Sequence, residues 1–214
     1  MSFRFSDLMT GPHTRTPRFT LGLFIALALS MVATRNHHFS TALHLADTSW
    51  AVFLLAGLYL RPRWMLLTLL GLAVAVDLFA VWQDGLVMSG CFSPAYPGLL
   101  LAYGALWGAG RLAHSGWAST QERSHPWMQL LTLVGWTIAG VLTAFVISNL
   151  TFWGFSGHFG LMPLTEYVSR VIGYARGYLT TTLLYVFVAL GGIIGWSAAV
   201  TPRRTITDRA GESA

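Results

Sequence analysis

The sequence of 214 residues is poor in charge and contains no lysine, so its net charge of +5 comes from arginine. Charged side chains make up 10% of the chain, against about 25% in a typical soluble protein. Hydrophobic residues make up 54%, which is more apolar surface than a soluble core of this size can bury. Lipid is therefore expected to be the solvent for much of the chain. The missing lysine also excludes an ATP-binding P-loop, whose lysine holds the phosphates.

Cysteine is almost absent as well, and Cys91 is the only one in the sequence. A lone cysteine excludes an internal disulfide and a closed zinc site built from cysteines. The His-Glu-x-x-His motif of zinc proteases and the Gly-x-Ser-x-Gly elbow of serine hydrolases are absent too. These absences exclude only the zinc sites and the hydrolases that depend on these motifs.

Apolar runs predict an all-α membrane protein, because each crossing needs about 20 apolar residues. We expect one integral membrane domain over residues 1–214, with residues 1–18 and a polar tail, residues 201–214, in the cytoplasm. Six runs qualify as spans: Phe19 to Thr34, about Ser40 to Leu60, Trp64 to Trp82, Gly98 to about Leu112, Trp127 to Leu150, and Tyr178 to Val200.

The arginines predict the orientation of these spans. With the amino terminus inside, ten arginines fall on the inner side and three, Arg35, Arg170 and Arg176, on the outer side. Positive charge is enriched in cytoplasmic loops. Both ends of the chain are therefore expected in the cytoplasm.

The outer loop between spans three and four contains Cys91. Pro94 and Pro97 fix backbone angles there, which makes the loop stiff, and Gly90 lets the backbone approach another group closely. A rigid thiol at the outer face is a suitable ligand for a soft metal centre. The alternative is that Cys91 fills a gap as a small hydrophobic residue.

Two carboxylates fall near predicted spans. Asp77 lies deep in span three, and an ionisable residue inside the membrane indicates a functional site. It would accept hydrogen bonds from a ligand or pair with an arginine from another span. His44 and Asp47 are three residues apart in span two, so on a helix they would share a face, either at a functional site or as a structural pair.

The segment before span six is rich in tyrosine. Tyr167, Tyr174 and Tyr178 follow one another at spacings of seven and four residues, which places them on one helical face. This stripe would line a cavity for a large ligand or form an interfacial aromatic belt. Glu166 and Arg170 are four residues apart and are expected to pair.

In these features, the chain resembles the small cobalamin transporters of the BtuM type. The resemblance rests on six short helices with both ends inside and on the loop Cys-Phe-Ser-Pro-Ala-Tyr-Pro before span four. These proteins are related to the S-components of energy-coupling-factor vitamin transporters. The resemblance implies a bundle of the S-component type in the inner (cytoplasmic) membrane, with a substrate cavity open to the outer face.

The resemblance also implies roles for residues. Cys91 would bind the cobalt of cobalamin and displace an upper ligand such as cyanide, which makes it both the metal ligand and the reactive residue. Cobalamin would be the substrate, and an energising module is an optional partner. The implied contacts to the corrinoid are Phe92, Ser93, Tyr96 and Asp77, with His44, Tyr167, Arg170 and Tyr174 as further candidates.

Two other functions remain open from the sequence. His37, His38 and His44 would serve as ligands in a membrane-embedded haem or metal redox protein. Gly22, Ala26 and Ser30 repeat every four residues in span one, and small residues at this spacing allow close helix contact in lipid. This small-residue stripe would serve a non-catalytic subunit that binds another membrane protein.

Overall fold

The computed structural model describes residues 16–35, 46–84, 93–120 and 126–200. Every regular element in these ranges is helical. The expected segment 1–18 therefore falls mostly outside them, and the tail 201–214 falls wholly outside. In chain order the six helices are α1 Pro17–Arg35, α2 Ser49–Tyr59, α3 Arg63–Asp84, α4 Tyr96–Thr120, α5 Pro126–Phe155 and α6 Leu164–Val200.

Four of the described helices are long and apolar enough to cross a membrane, namely α1, α3, α5 and α6. Their outer faces remain apolar, as shown by Leu29 and Leu67, whose side chains are 63% and 67% exposed. Exposed apolar surface on this scale is typical of a protein surrounded by lipid. Within the described residues, the structure thus confirms an all-helical fold with four helices that are long and apolar enough to cross a membrane. Six crossings are not established, because α2 and α4 fall outside this set.

Helix α2 lies at the centre of the bundle and contacts all five other described helices. All eleven of its residues are buried, as expected for a helix that is hydrophobic on every side. Its length is about 16 Å, well short of the roughly 30 Å hydrocarbon core. The central helix therefore acts as a core that the longer helices surround.

Glycines allow α2 and α4 to pack backbone against backbone. A Cβ atom on Gly57 of α2 would overlap the carbonyl group of Trp107, and one on Gly110 of α4 would overlap the carbonyl oxygen of Leu54. Small residues at helix crossings allow such close approach in membranes. The position of α4 against α2 depends on this contact.

Some helix bounds differ from the sequence prediction. Helix α6 begins at Leu164 rather than Tyr178, and its 37 residues make it about 55 Å long. The polar side chains of its first turns hid this extension, since they lower the local hydropathy without breaking the helix. Span two was also predicted too long within the described part. Residues 46–48 are not helical, so Asp47 precedes α2. His44, with which Asp47 was predicted to share a helical face, lies outside the described residues.

Candidate functional site

Arg35 and Asp77 form an ion pair between the end of α1 and the last third of α3. Nε of Arg35 lies 2.5 Å from Oδ1 of Asp77, and Nη2 lies 2.6 Å from Oδ2. Their side chains are only 9% and 16% exposed. This two-pronged geometry is the strong form of an arginine–carboxylate contact. Of the two roles predicted for Asp77, the structure confirms pairing with an arginine from another helix.

The remaining donor group of Arg35 joins α1 to α2 and α4. Nη1 donates to the hydroxyl oxygen of Ser49 at 3.0 Å and to that of Tyr103 at 2.5 Å. Asp47 Oδ2 lies 3.6 Å from the same nitrogen. A guanidinium group held by partners on three sides is in effect immobile, so Arg35 fixes the relative positions of four segments.

Asp47 orders the start of the central helix. Its Oδ1 accepts hydrogen bonds from the backbone N–H of Ser49 at 2.9 Å and from the Ser49 hydroxyl at 2.6 Å. An Asp side chain that binds the backbone two residues ahead forms a local turn. Asp47 therefore orders the first residues of α2 and also lies next to the positive charge of Arg35.

Tyr96 connects the loop motif to this ion pair. Its hydroxyl donates to Oδ2 of Asp77 at 2.8 Å, and its backbone N–H donates to the carbonyl oxygen of Ser93 at 2.9 Å. Tyr96 is the first residue of α4, so the turn over Ser93 to Tyr96 leads directly into the helix. Asp77 and Tyr96, both predicted as candidate contacts to the ligand, thus lie in direct contact.

A cavity of about 280 Å³ adjoins Tyr96 at the same end of the bundle. Polar side chains on its wall include Ser93 and Tyr96 from the motif and Ser148 and Asn149 from α5. The start of α4 rests tightly on the end of α5, because a Cβ on Gly98 would overlap the Thr151 side chain. Helix packing therefore sets the part of the cavity wall between α4 and α5, and the turn that contains Ser93 adds to it.

The predicted tyrosine stripe divides between two environments. Tyr167 is 2% exposed, and its hydroxyl donates to Oδ1 of Asn149 at 3.0 Å. Tyr178 stacks on Trp50 with ring centroids 4.4 Å apart and lines the cavity. Tyr174, in contrast, is 67% exposed.

Arg170 does not reach the buried ion pair. Its Nη2 lies 2.6 Å from Oε1 of Glu166, and the two side chains are 60% and 48% exposed. The predicted pairing of these two residues is confirmed. It is a contact within one turn of α6, on the surface of the helix.

The sequence analysis missed Ser49 and Tyr103 as members of the site. The spacing of Tyr103 offered a signal, since it lies seven residues after Tyr96 and therefore on the same face of α4. Ser49 carried no comparable signal, because its role depends on where Arg35 is placed. Several predicted residues lie outside the described part of the chain, namely Cys91, Phe92, His37, His38 and His44.

Among the described residues, no group of three or more His, Cys, Asp or Glu side chains is placed to hold a metal ion. The chemistry of the described site is that of a buried ion pair with tyrosine and serine hydroxyls beside a small polar cavity. No protein-family model matches the chain, and no curated protein matches it.

Proposed function

We propose that this chain is a membrane protein that binds and takes up a corrinoid such as cobalamin, with Cys91 as the ligand to cobalt. The observation that carries the proposal is the contact between Tyr96 and Asp77. It ties the Cys91-containing motif to a buried ion pair, beside a polar cavity that Ser93 and Tyr96 border. A loop anchored in this way would hold its thiol at a defined place.

Only one protein atom, the sulfur of Cys91, would bond to cobalt. The loop must therefore hold that atom at a defined position. The corrin supplies four equatorial nitrogens, so a single thiolate suffices at an axial position. The Cys91 thiol would lose its proton as the cobalt–sulfur bond forms, and coordination to a metal favours that deprotonation. If cyanide occupied the position, the cobalt–carbon bond would break and cyanide would leave with the proton, without any change in oxidation state.

The polar cavity would receive one edge of the corrinoid. Its volume of about 280 Å³ lies at the lower limit of small-molecule pockets, which span roughly 300–1,000 Å³. A corrinoid is larger, so most of the ring would lie above the cavity toward the mouth of the bundle. Amide side chains at the ring edge would meet the polar side chains of Ser93, Ser148 and Asn149 on the wall. Ser148 and Asn149 also donate to the carbonyl oxygen of Phe145, so they would share their hydrogen-bonding groups with the ligand.

The proposal includes six membrane crossings in the inner membrane, with both chain ends in the cytoplasm. Phe19 packs on Tyr59, with ring centroids 6.3 Å apart. This contact groups the start of α1 with the end of α2. Arg18, Arg61 and Arg63 thus gather at the end opposite Arg35, and the positive-inside rule assigns that end to the cytoplasm. Uptake driven by ATP would need a partner protein, because this sequence contains no lysine and therefore no P-loop to bind ATP.

The test is an absorbance titration of purified protein with cyanocobalamin. Wild type is expected to change the corrin spectrum as a cobalt–sulfur bond replaces the cobalt–cyanide bond, and Cys91→Ser is expected to lose that change. Trp127→Phe is the control variant, because its side chain is exposed and it stands near the start of α5, away from the cavity wall. A wild-type protein that leaves the corrin spectrum unchanged would refute the proposal.

A further inference from the structure

A long apolar groove runs between α1, α2 and α6, on a different side of α2 from the ion pair. Its volume is about 970 Å³, at the upper end of the range for ligand cavities. Along α1 it extends from Arg18 to Thr34, a distance of about 24 Å at 1.5 Å per residue. It therefore covers more than one leaflet of a bilayer, whose hydrocarbon half-thickness is about 15 Å.

The small-residue stripe of span one forms part of this groove. Gly22, Ala26 and Ser30 all line it, and a Cβ atom on Gly22 would meet nothing within 4 Å. Within the ranges that the structure describes, the stripe is thus not used for close packing against another helix of the chain. It leaves an open channel along α1.

The hydroxyl groups on the groove wall are satisfied within the chain. Ser30 donates to the carbonyl oxygen of Leu27 at 2.9 Å, and Thr34 donates to that of Ser30 at 2.8 Å. Tyr185 donates to the carbonyl oxygen of Ala46 at 2.8 Å. A ligand inside the groove would therefore meet an apolar wall, and its own polar groups would gain little there.

Arg18 is the exception, and it lies at one end of the groove. Within residues 16–35, 46–84, 93–120 and 126–200, no hydrogen bond or ion pair engages its guanidinium group. The positive end of the α1 dipole adds to the charge. Trp196 borders the same groove, and tryptophan is typical of the membrane–water interface. An apolar channel whose mouth carries a cation that no described residue pairs matches an amphiphile with an anionic head.

We propose that this groove binds an anionic phospholipid, with its acyl chain along Gly22 and Ala26 and its phosphate headgroup on Arg18. The inference is independent of corrinoid binding, which would use the opposite end of the bundle. A zwitterionic phospholipid of equal chain length would fit the channel equally well. It would gain less from Arg18, since its headgroup carries no net negative charge.

The test is native mass spectrometry of the purified full chain, incubated with equal amounts of phosphatidylglycerol and phosphatidylethanolamine that carry identical acyl chains. Wild type is expected to retain phosphatidylglycerol about fivefold over phosphatidylethanolamine, the scale of one arginine near an anionic lipid. Arg18→Gln is expected to bring the ratio close to one. Arg63→Gln, an exposed arginine at the same end but outside the groove, is expected to leave the ratio unchanged.

A second pair of variants tests the channel itself. Gly22→Leu fills the groove and is expected to reduce the retention of both lipids several-fold. Gly71→Leu places the same side chain on α3, where space is also open, and is expected to have no such effect. An unchanged lipid ratio in Arg18→Gln would overturn the proposal. So would a co-purifying polypeptide that Gly22→Leu releases, because the groove would then hold a protein helix.

Discussion

Among the described residues, the Arg170–Glu166 and Arg35–Asp77 pairs have nearly equal lengths but opposite environments, and this contrast gives a quantitative prediction. Arg170 and Glu166 are 2.6 Å apart with side chains 60% and 48% exposed, so their pairing is worth about 0–1 kcal/mol. Arg35 and Asp77 are 2.5 Å apart but only 9% and 16% exposed. Removing one partner of such a buried pair costs about 3–5 kcal/mol, because a charge is left without compensation.

For Asp77→Asn we expect a loss of about 3 kcal/mol in the free energy of unfolding, at the lower end of that range. The reason is that Asp47 still lies 3.6 Å from the Arg35 guanidinium and compensates part of its charge. Glu166→Gln is the matched control and should cost less than about 0.5 kcal/mol. Unfolding is measured in mixed micelles as the fraction of denaturing detergent rises, with circular dichroism as the signal.

A double variant separates the cost of an unpaired charge from the worth of the pair. Arg35→Met combined with Asp77→Leu leaves no buried charge between α1 and α3, so stability should recover most of the loss seen in Asp77→Asn. Equal losses for Asp77→Asn and Glu166→Gln would refute the reasoning from burial. A double variant as unstable as the sum of its single changes would refute it too.

Two further predictions concern the contacts that position α4. Tyr96→Phe removes the hydrogen bond to the Asp77 carboxylate and should lower the free energy of unfolding by about 1.5–3 kcal/mol, as expected for a bond to a charged group. A smaller loss in the same unfolding assay would contradict this prediction. Gly57→Ala should destabilise strongly, because the new Cβ would overlap the Trp107 carbonyl group. Gly71 has open space around it, so Gly71→Ala should be neutral or stabilise by up to about 1 kcal/mol. Equal effects of the two alanine substitutions would contradict the close crossing of α2 and α4.

The sequence predicted the helices best where their apolar runs are long and unbroken. Span three, predicted from Trp64 to Trp82, agrees with α3 within two residues at each end. The start of α6 was missed because Glu166 and Arg170 resemble loop residues in hydropathy, although they form a helical i, i+4 pair. Hydropathy measures the preference for lipid, and a helix that continues beyond the lipid does not register in it.

The site was predicted in part, through residues whose chemistry stands out in an apolar segment. Asp77 was identified because a carboxylate inside a span needs a partner, and an arginine from another span was one of its two expected partners. That Arg35 is this arginine did not follow from the sequence, since 42 residues separate the two. The sequence analysis instead assigned Arg35 to the outer side, as one of the three arginines placed there.

The amino-acid sequence by itself determined that this protein is helical and that its long helices suit lipid, because scarce charge and long apolar runs admit helices in lipid and little else. Only the tertiary structure decided that α2 is the buried centre, that Arg35 reaches Asp77 and Tyr103, and that the stripe on α1 borders an open groove. Each of these depends on how far one helix is rotated and shifted against another. Many rotations satisfy the same hydropathy, and the choice among them is made by close contacts such as Gly57 against Trp107.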